Sequence, residues 1–198
     1  MATAFADDIV KHLSHLRAFA RMLAQDRTLA DDLVQETVLR ALSHAHQFQR
    51  GTNLKAWLTT ILRNAYFTEK RSQGRLGQLG ADGAIESMTT SGGQEWHLRM
   101  RDFQCAFNTL PSVQREALAL VGASGFSYEE AATMAKCAVG TMKSRVSRAR
   151  LQLQTLLEGA PAQDGAATQA LAWRGNAHLR DWQHLMGIHE SASDTAAA

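Results

Sequence analysis

Apolar positions along this chain recur at steps of three and four, which is the mark of helices with one buried face. Ile9, Leu13, Leu16, Ala20 and Leu23 form one such stripe and predict a first helix. A second is expected from near Leu29, with Asp31 and Asp32 at its positive amino-terminal end. Its buried stripe would be Val34, Val38, Ala41 and Leu42. The polar stretch SHAHQFQRGTN (43–53) interrupts the pattern, and Gly51 gives it the backbone freedom of a turn. A third helix opens at Asn53, a good capping residue, with Leu54, Trp57, Leu58, Ile61, Leu62 and Ala65 turned inward over 53–67.

The pattern then lapses. Residues 72–95 are rich in glycine and read as a flexible tether with no packed core. Helical spacing resumes at Trp96 with Met100, Phe103, Phe107 and Leu110, and Pro111 marks a boundary. Another helix covers about 112–122, broken by Gly122 and Gly125. Ser127 and Glu130 make an S-x-x-E capping box that starts a short helix. The tight connection AKCAV (135–139) leads to a long helix with Met142, Val146, Ala149, Leu153 and Leu156 on one stripe. No strand candidate interrupts this series. The expected fold is all-α, with two small helical domains at 1–73 and 96–158, a linker at 74–95 and a tail at 159–198. In the tail, Leu171, Trp173, Leu179, Trp182, Leu185 and Met186 allow either an amphipathic helix or a disordered acidic end.

Composition adds exclusions. Of 198 residues, 45% are hydrophobic and 20% charged, which suits a folded protein. The longest apolar runs are far below the roughly 20 residues a membrane span needs, and the amino terminus does not read as a signal peptide. Cys105 and Cys137 belong to no CxxC pair, so a reducing, cytoplasmic setting is the default and no membrane partner is expected. The net charge of +2 hides a pattern: +4 over 1–75, −3 over 76–95, +3 over 96–158 and −2 over 159–198. Two basic modules in one chain suit a polyanion.

The last long helix sharpens that reading. Opposite its apolar stripe lie Thr141, Ser144, Arg145 and Arg148, with Lys143 and Arg150 alongside, and no carboxylate falls between 139 and 157. A helix meant only to be hydrated usually mixes signs for i,i+4 pairing. A one-signed face after a capped helix and a tight turn is a helix-turn-helix whose second helix suits the major groove. The third helix carries a second basic face with Arg63, Asn64, Phe67, Lys70, Arg71 and Arg75, opposed by Glu69 alone. Tyr66 and Phe67 beside these cations suit unstacked bases of a single strand. They equally suit a core.

These segments together resemble the extracytoplasmic-function class of bacterial sigma factors, the two-domain initiation factors of RNA polymerase. The resemblance spans roughly residues 8–158. DDLVQETVLRAL (31–42) is similar to the family's polymerase-docking segment, GTNLKAWLTTILRNAYFTEKR (51–71) to the segment that melts and reads the −10 element, and LPSVQREALALVGASGFSYEEAATMAKCAVGTMKSRVSRARLQL (110–153) to the −35-reading helix-turn-helix. The resemblance implies that Asp31, Asp32, Leu33, Gln35, Glu36 and Arg40 dock on core polymerase. It implies that Asn53 holds an extruded −10 base, while Arg63, Asn64, Phe67, Lys70 and Arg71 meet the melted strand. It places Gly140, Thr141, Lys143, Ser144, Arg145 and Arg148 in the −35 duplex, with Arg115 and Tyr128 as supports. REALALVGASGFSYEEAA and CAVGTMKSRVSRAR look most similar to the alphaproteobacterial general-stress-response (EcfG-type) subgroup. Its members are held by a small anti-sigma protein that a phosphorylated response regulator removes. The tail 159–198 departs from the family pattern, as does Ala138, where a capping Ser or Pro is more usual.

No catalytic residue, metal ligand or cofactor is expected. His12 with His15, and His44 with His46, lack a carboxylate or Cys at a recurring ligand spacing and read as surface histidines. No HExxH, P-loop or G-x-S-x-G occurs. The competing readings are a conventional helix-turn-helix regulator, which would bind duplex DNA without polymerase, and a sigma mimic, which would not need the recognition-helix cations.

Overall fold

The computed structural model describes the backbone of residues 2–75 and 94–158, and the side chains of 4–73 and 102–157. Eight α-helices and no strand occur among them. The expected linker, for the most part, and the whole tail lie outside the described residues.

The first apolar stripe is split between two helices, α1 (Ala2–Lys11) and α2 (Leu13–Ala24), with a break at His12. The break is local, because the His12 N–H donates to Ile9 O three residues back while its own carbonyl still accepts from Leu16 N. At the end of α2, Gln25 adopts the left-handed conformation at φ 62°. Asp26 then caps α3 (Arg27–Ser43) by accepting from Leu29 N at 2.6 Å, so the helix starts one turn or less before the expected Leu29. A single 3₁₀ turn (Ala45–Gln47) and a bend at Gly51, φ 88°, lead to α4 (Leu54–Arg75). Asn53 caps α4 through Oδ1, which accepts from Ala56 N at 3.0 Å. Helices α2, α3 and α4 pack on one another around Leu16, Phe19, Leu23, Leu33, Leu58 and Leu62. Leu42, expected in the α3 stripe, is exposed.

The second unit contains α5 (Gln94–Thr109), α6 (Ser112–Leu118), α7 (Tyr128–Met134) and α8 (Val139–Glu158). After α6 the helix widens into a π turn (Ala119–Ala123), where Ser124 N donates to Ala119 O, and Gly125 at φ 73° ends it. The capping box of α7 is complete, with Glu130 N donating to Ser127 Oγ and Ser127 N to Glu130 Oε2. The helix-turn-helix turn is a Schellman closure: Lys136 N donates to Thr133 O and Cys137 N to Ala132 O, with Lys136 itself at φ 51°. The core around it is unusually rich in alanine. Ala106, Ala117, Ala119, Ala123, Ala131, Ala132, Ala135 and Ala149 are all buried, and Met142, Val146 and Leu120 fill the larger spaces. Leu156, expected on the α8 stripe, is exposed.

The two units touch. α2 packs on α6 and the π turn, and α4 on α7, so the buried residues of both form one continuous apolar cluster.

Candidate nucleic-acid and polymerase interface

The outer surface of α8 is set from its buried side. Met142, Val146 and Ala149 are inaccessible, which turns Gly140, Thr141, Lys143 and Arg148 to solvent and leaves Ser144, Arg145 and Arg150 half-buried at the edges. The Ser144 hydroxyl donates to Thr141 O at 2.9 Å. The Lys143 ammonium lies 5.8 Å from the Tyr128 ring centroid, a weak cation–π contact with α7. At the entry to α8, where Ala138 offers no side-chain cap, Met142 N still donates to the Ala138 carbonyl.

On α3, Asp32, Gln35 and Arg40 are exposed and Asp31 and Glu36 half-buried, with Arg40 paired to Glu36 one turn away. Leu33 departs from the expected docking set. It is buried in the core of the first unit, where its place on the inward stripe of α3 puts it. The outward apolar positions are instead Leu39, 65% exposed, and Leu42. They lie on the same helix as the Glu36–Arg40 pair and leave apolar surface exposed there.

The α4 set divides. Lys70 and Arg71 are exposed, and Arg71 Nε donates to Phe67 O at 3.0 Å. Burial lowers the Lys70 ammonium somewhat, with the nearby Arg115 charge adding to the effect. Tyr66 is buried, which settles it as core. Phe67 is half-buried beneath the Arg63 guanidinium, 4.8 Å from its centroid. Asn53 is exposed, and its Nδ2 reaches Glu130 of the second unit at 3.4 Å. Arg63 is not on an open face. Its Nε pairs with Glu116 of α6, Nη2 donates to Ala135 O at 3.3 Å, and Nη1 donates to Asn64 Oδ1 at 3.2 Å.

Glu116 was missed in the sequence. It is wholly buried, and burial pushes its carboxyl up while Arg63, first, and then Arg145 pull it back. Lys55, also missed, extends the contact between units by donating to Ser124 O at 2.8 Å, with its ammonium 5.4 Å from the Phe126 ring centroid. One sequence signal was present for Glu116. It is the only carboxylate between Asp102 and Glu129, and Ala117–Leu120 beside it are apolar.

The histidines correct one expectation. His15 is buried, stacked near Phe19 and edge-on to Phe126, with Nε2 3.1 Å from Thr59 Oγ1. Because Thr59 donates its own proton to Lys55 O at 2.7 Å, the ring donates through Nε2 and leaves Nδ1 bare. Burial, followed by the charge of Lys55 and then His12, pushes the His15 pKa down to about 3. His44 and His46 are exposed. Among the described residues no group of three or more His, Cys, Asp or Glu is placed to hold a metal, and no helix is long and apolar enough to cross a membrane.

Comparison with known proteins bears on the family and the fold. Residues 9–76 match the family model of sigma-70 region 2 and residues 100–153 that of sigma-70 region 4. The chain is 51% identical over 159 residues to an ECF RNA polymerase sigma factor EcfG of Rhodopseudomonas palustris, covering 80% of this chain and 87% of that one. Among solved structures it is similar to the sigma factor RpoE of Bartonella quintana, crystallised with the anti-sigma factor NepR. That likeness has a TM-score of 0.67 at 46% identity over 80% of this chain and 99% of the other. CnrH, solved with the cytosolic domain of CnrY, shares the fold at a TM-score of 0.60 and 24% identity, over 81% of this chain and 92% of that one.

Proposed function

This chain belongs to the sigma-70 family, in its extracytoplasmic-function class, and from that premise we propose how its surfaces divide the work of promoter recognition. A sigma factor binds core RNA polymerase and directs it to start at particular promoters; it makes and breaks no bond itself. The stress-response role of the EcfG-type factors is consistent with the same relationship.

In the proposed division, α8 enters the major groove of the duplex −35 element. Arg148 and Lys143 neutralise phosphates, while Thr141, Ser144 and Arg145 approach base edges and Gly140 lets the backbone come close. Lys70, Arg71, Asn64 and Arg63 meet the melted −10 strand, with Phe67 as a stacking surface and Asn53 holding one extruded base. Stacking of this kind contributes about 1–3 kcal/mol per base, enough to bias melting once polymerase has bent and opened the duplex. Asp31, Asp32, Gln35, Glu36 and Arg40 dock on core enzyme around Leu39 and Leu42, with Leu33 supporting them from beneath. The partners are core polymerase, promoter DNA and a small anti-sigma protein, as the Bartonella relative has. The setting is the cytoplasm, where the polymerase is.

The observation that carries this reading is the one-signed outer face of α8, held by a complete capping box and a Schellman turn. Run-off transcription with purified core polymerase tests it. The chain should programme initiation at a stress promoter, and Arg145→Ala with Arg148→Ala should abolish that product while helical circular dichroism persists. Unchanged transcription by the double variant would show that α8 does not read the promoter.

A further inference from the structure

We propose that Arg115 of α6 and Lys70 of α4, gathered at the Tyr66 phenol, form a binding site for a phosphate dianion. Lys70 also figures in the −10 set above, but phosphate binding requires nothing of that assignment.

Arg115 is 5% exposed, and its buried Nε has no hydrogen-bond partner among the described residues. Nη1 donates to Asn108 O at 3.2 Å, a carbonyl that also accepts from Gln25 Nε2 at 2.7 Å. Its other partner is the phenol of Tyr66, which is itself buried. Burial raises the Tyr66 phenol, so it keeps its proton at neutral pH and both of these acceptors are uncharged. Glu116, next in sequence, is committed to Arg63, and among the described residues no carboxylate pairs with Arg115 or Lys70. A buried cation without a counter-charge is costly. This one has a second cation for a neighbour, because the Lys70 ammonium lies 6.0 Å from the Tyr66 ring centroid. Burial lowers both the guanidinium and the ammonium, and the Arg115 charge lowers Lys70 further.

The donors left over fit one kind of ligand. Arg115 offers its Nε–H, Lys70 its ammonium protons, and Tyr66 its hydroxyl proton once the phenol oxygen accepts from Arg115. Two cations without a carboxylate call for two negative charges, and a single carboxylate would neutralise only half. A phosphate dianion brings both charges together with oxygens pointing in several directions, and guanidinium and ammonium groups are the side chains that hold it best. Lys70 is exposed and Arg115 is not, so an ion arriving from solvent meets the ammonium first. A small ion can follow that approach, whereas the backbone of a duplex cannot reach a side chain so deeply placed. The ligand is therefore the free ion or the phosphate group of a small molecule such as a mononucleotide.

The test is isothermal titration of the full chain with inorganic phosphate and, separately, with adenosine 5′-monophosphate, in chloride buffer of constant ionic strength. Phosphate should bind saturably, at one ion per chain, and should raise the unfolding temperature as its concentration rises. Arg115→Met and Lys70→Met should each weaken this binding by roughly ten-fold or more, the scale of one lost charge-assisted hydrogen bond. With that loss observed, a nucleotide that binds as well as or better than phosphate makes the ligand a phosphate monoester, and a nucleotide that fails makes it the free ion. The absence of saturable binding by either probe, or wild-type affinity in either folded variant, would overturn the site. If Arg115→Met loses its helical dichroism, Lys70→Met decides alone.

Discussion

Replacing His15 by Gln should flatten the acid side of the stability profile. His15 sits between α2, α4 and Phe126, with Lys55 and His12 the charged or titratable groups facing it. Its folded pKa is pushed down to about 3 from an ordinary 6.5. A histidine depressed in this way contributes stability that is complete above about pH 6.5. That stability is lost as pH falls through the window down to about 3, because the unfolded chain takes up a proton that the folded one refuses. The slope in that window is about 1.4 kcal/mol per pH unit. Between pH 7.5 and 5 the His15 contribution therefore amounts to about 2 kcal/mol. Gln keeps an N–H donor for Thr59 Oγ1 and does not titrate. Urea unfolding of both proteins at pH 7.5, 6 and 5 gives the profiles. Glu116 and His12 titrate in both, so the difference between the curves isolates His15. The wild type should lose about 2 kcal/mol more than His15→Gln across this range. Parallel curves would show that the ring is hydrated and the burial argument mistaken.

Two further outcomes are expected. Lys136→Gly should stabilise the second unit by about 1 kcal/mol in urea unfolding, because Lys136 holds φ 51° in the Schellman turn, where a Cβ is penalised. A loss of stability would mean that the turn does not adopt this form in solution. Leu39→Asp should weaken capture of core polymerase by roughly ten-fold or more with unchanged thermal unfolding. Burying an exposed leucine at an interface is worth about 1.5–3 kcal/mol, and a charge there would have to be desolvated. Equal capture would remove Leu39 from the docking face.

Much of the helical arrangement was readable because it rests on local chemistry. The Ser127–Glu130 box, the Asn53 cap and the spacing of Met142, Val146 and Ala149 all depend on residues within a turn or two of one another. The failures were of another kind. Leu33 lies on the buried side of α3 and Leu39 on an exposed one, and the resemblance to a docking segment carried no information about which side faces out. His15 reads as an HxxH surface pair until α4 and Phe126 close over it. The α4 basic face reads as open because its counter-charge, Glu116, is 53 residues away. Periodicity shows that a helix has a buried face and says nothing of which distant element buries it.

The alanine-lined interior of the second unit has a consequence for how such a protein can change its target. The distance between packed helices depends on the side chains at the contact, and small ones such as these favour the short end of the usual range of about 8–10 Å. Enlarging any of these residues inserts atoms where no rotamer can move aside, at a cost of about 1–3 kcal/mol. Changing the tilt of α8 would therefore mean repacking this interior. A descendant of this chain that came to favour another upstream hexamer would do so by exchanging the outward side chains of α8, with the scaffold beneath left as it stands.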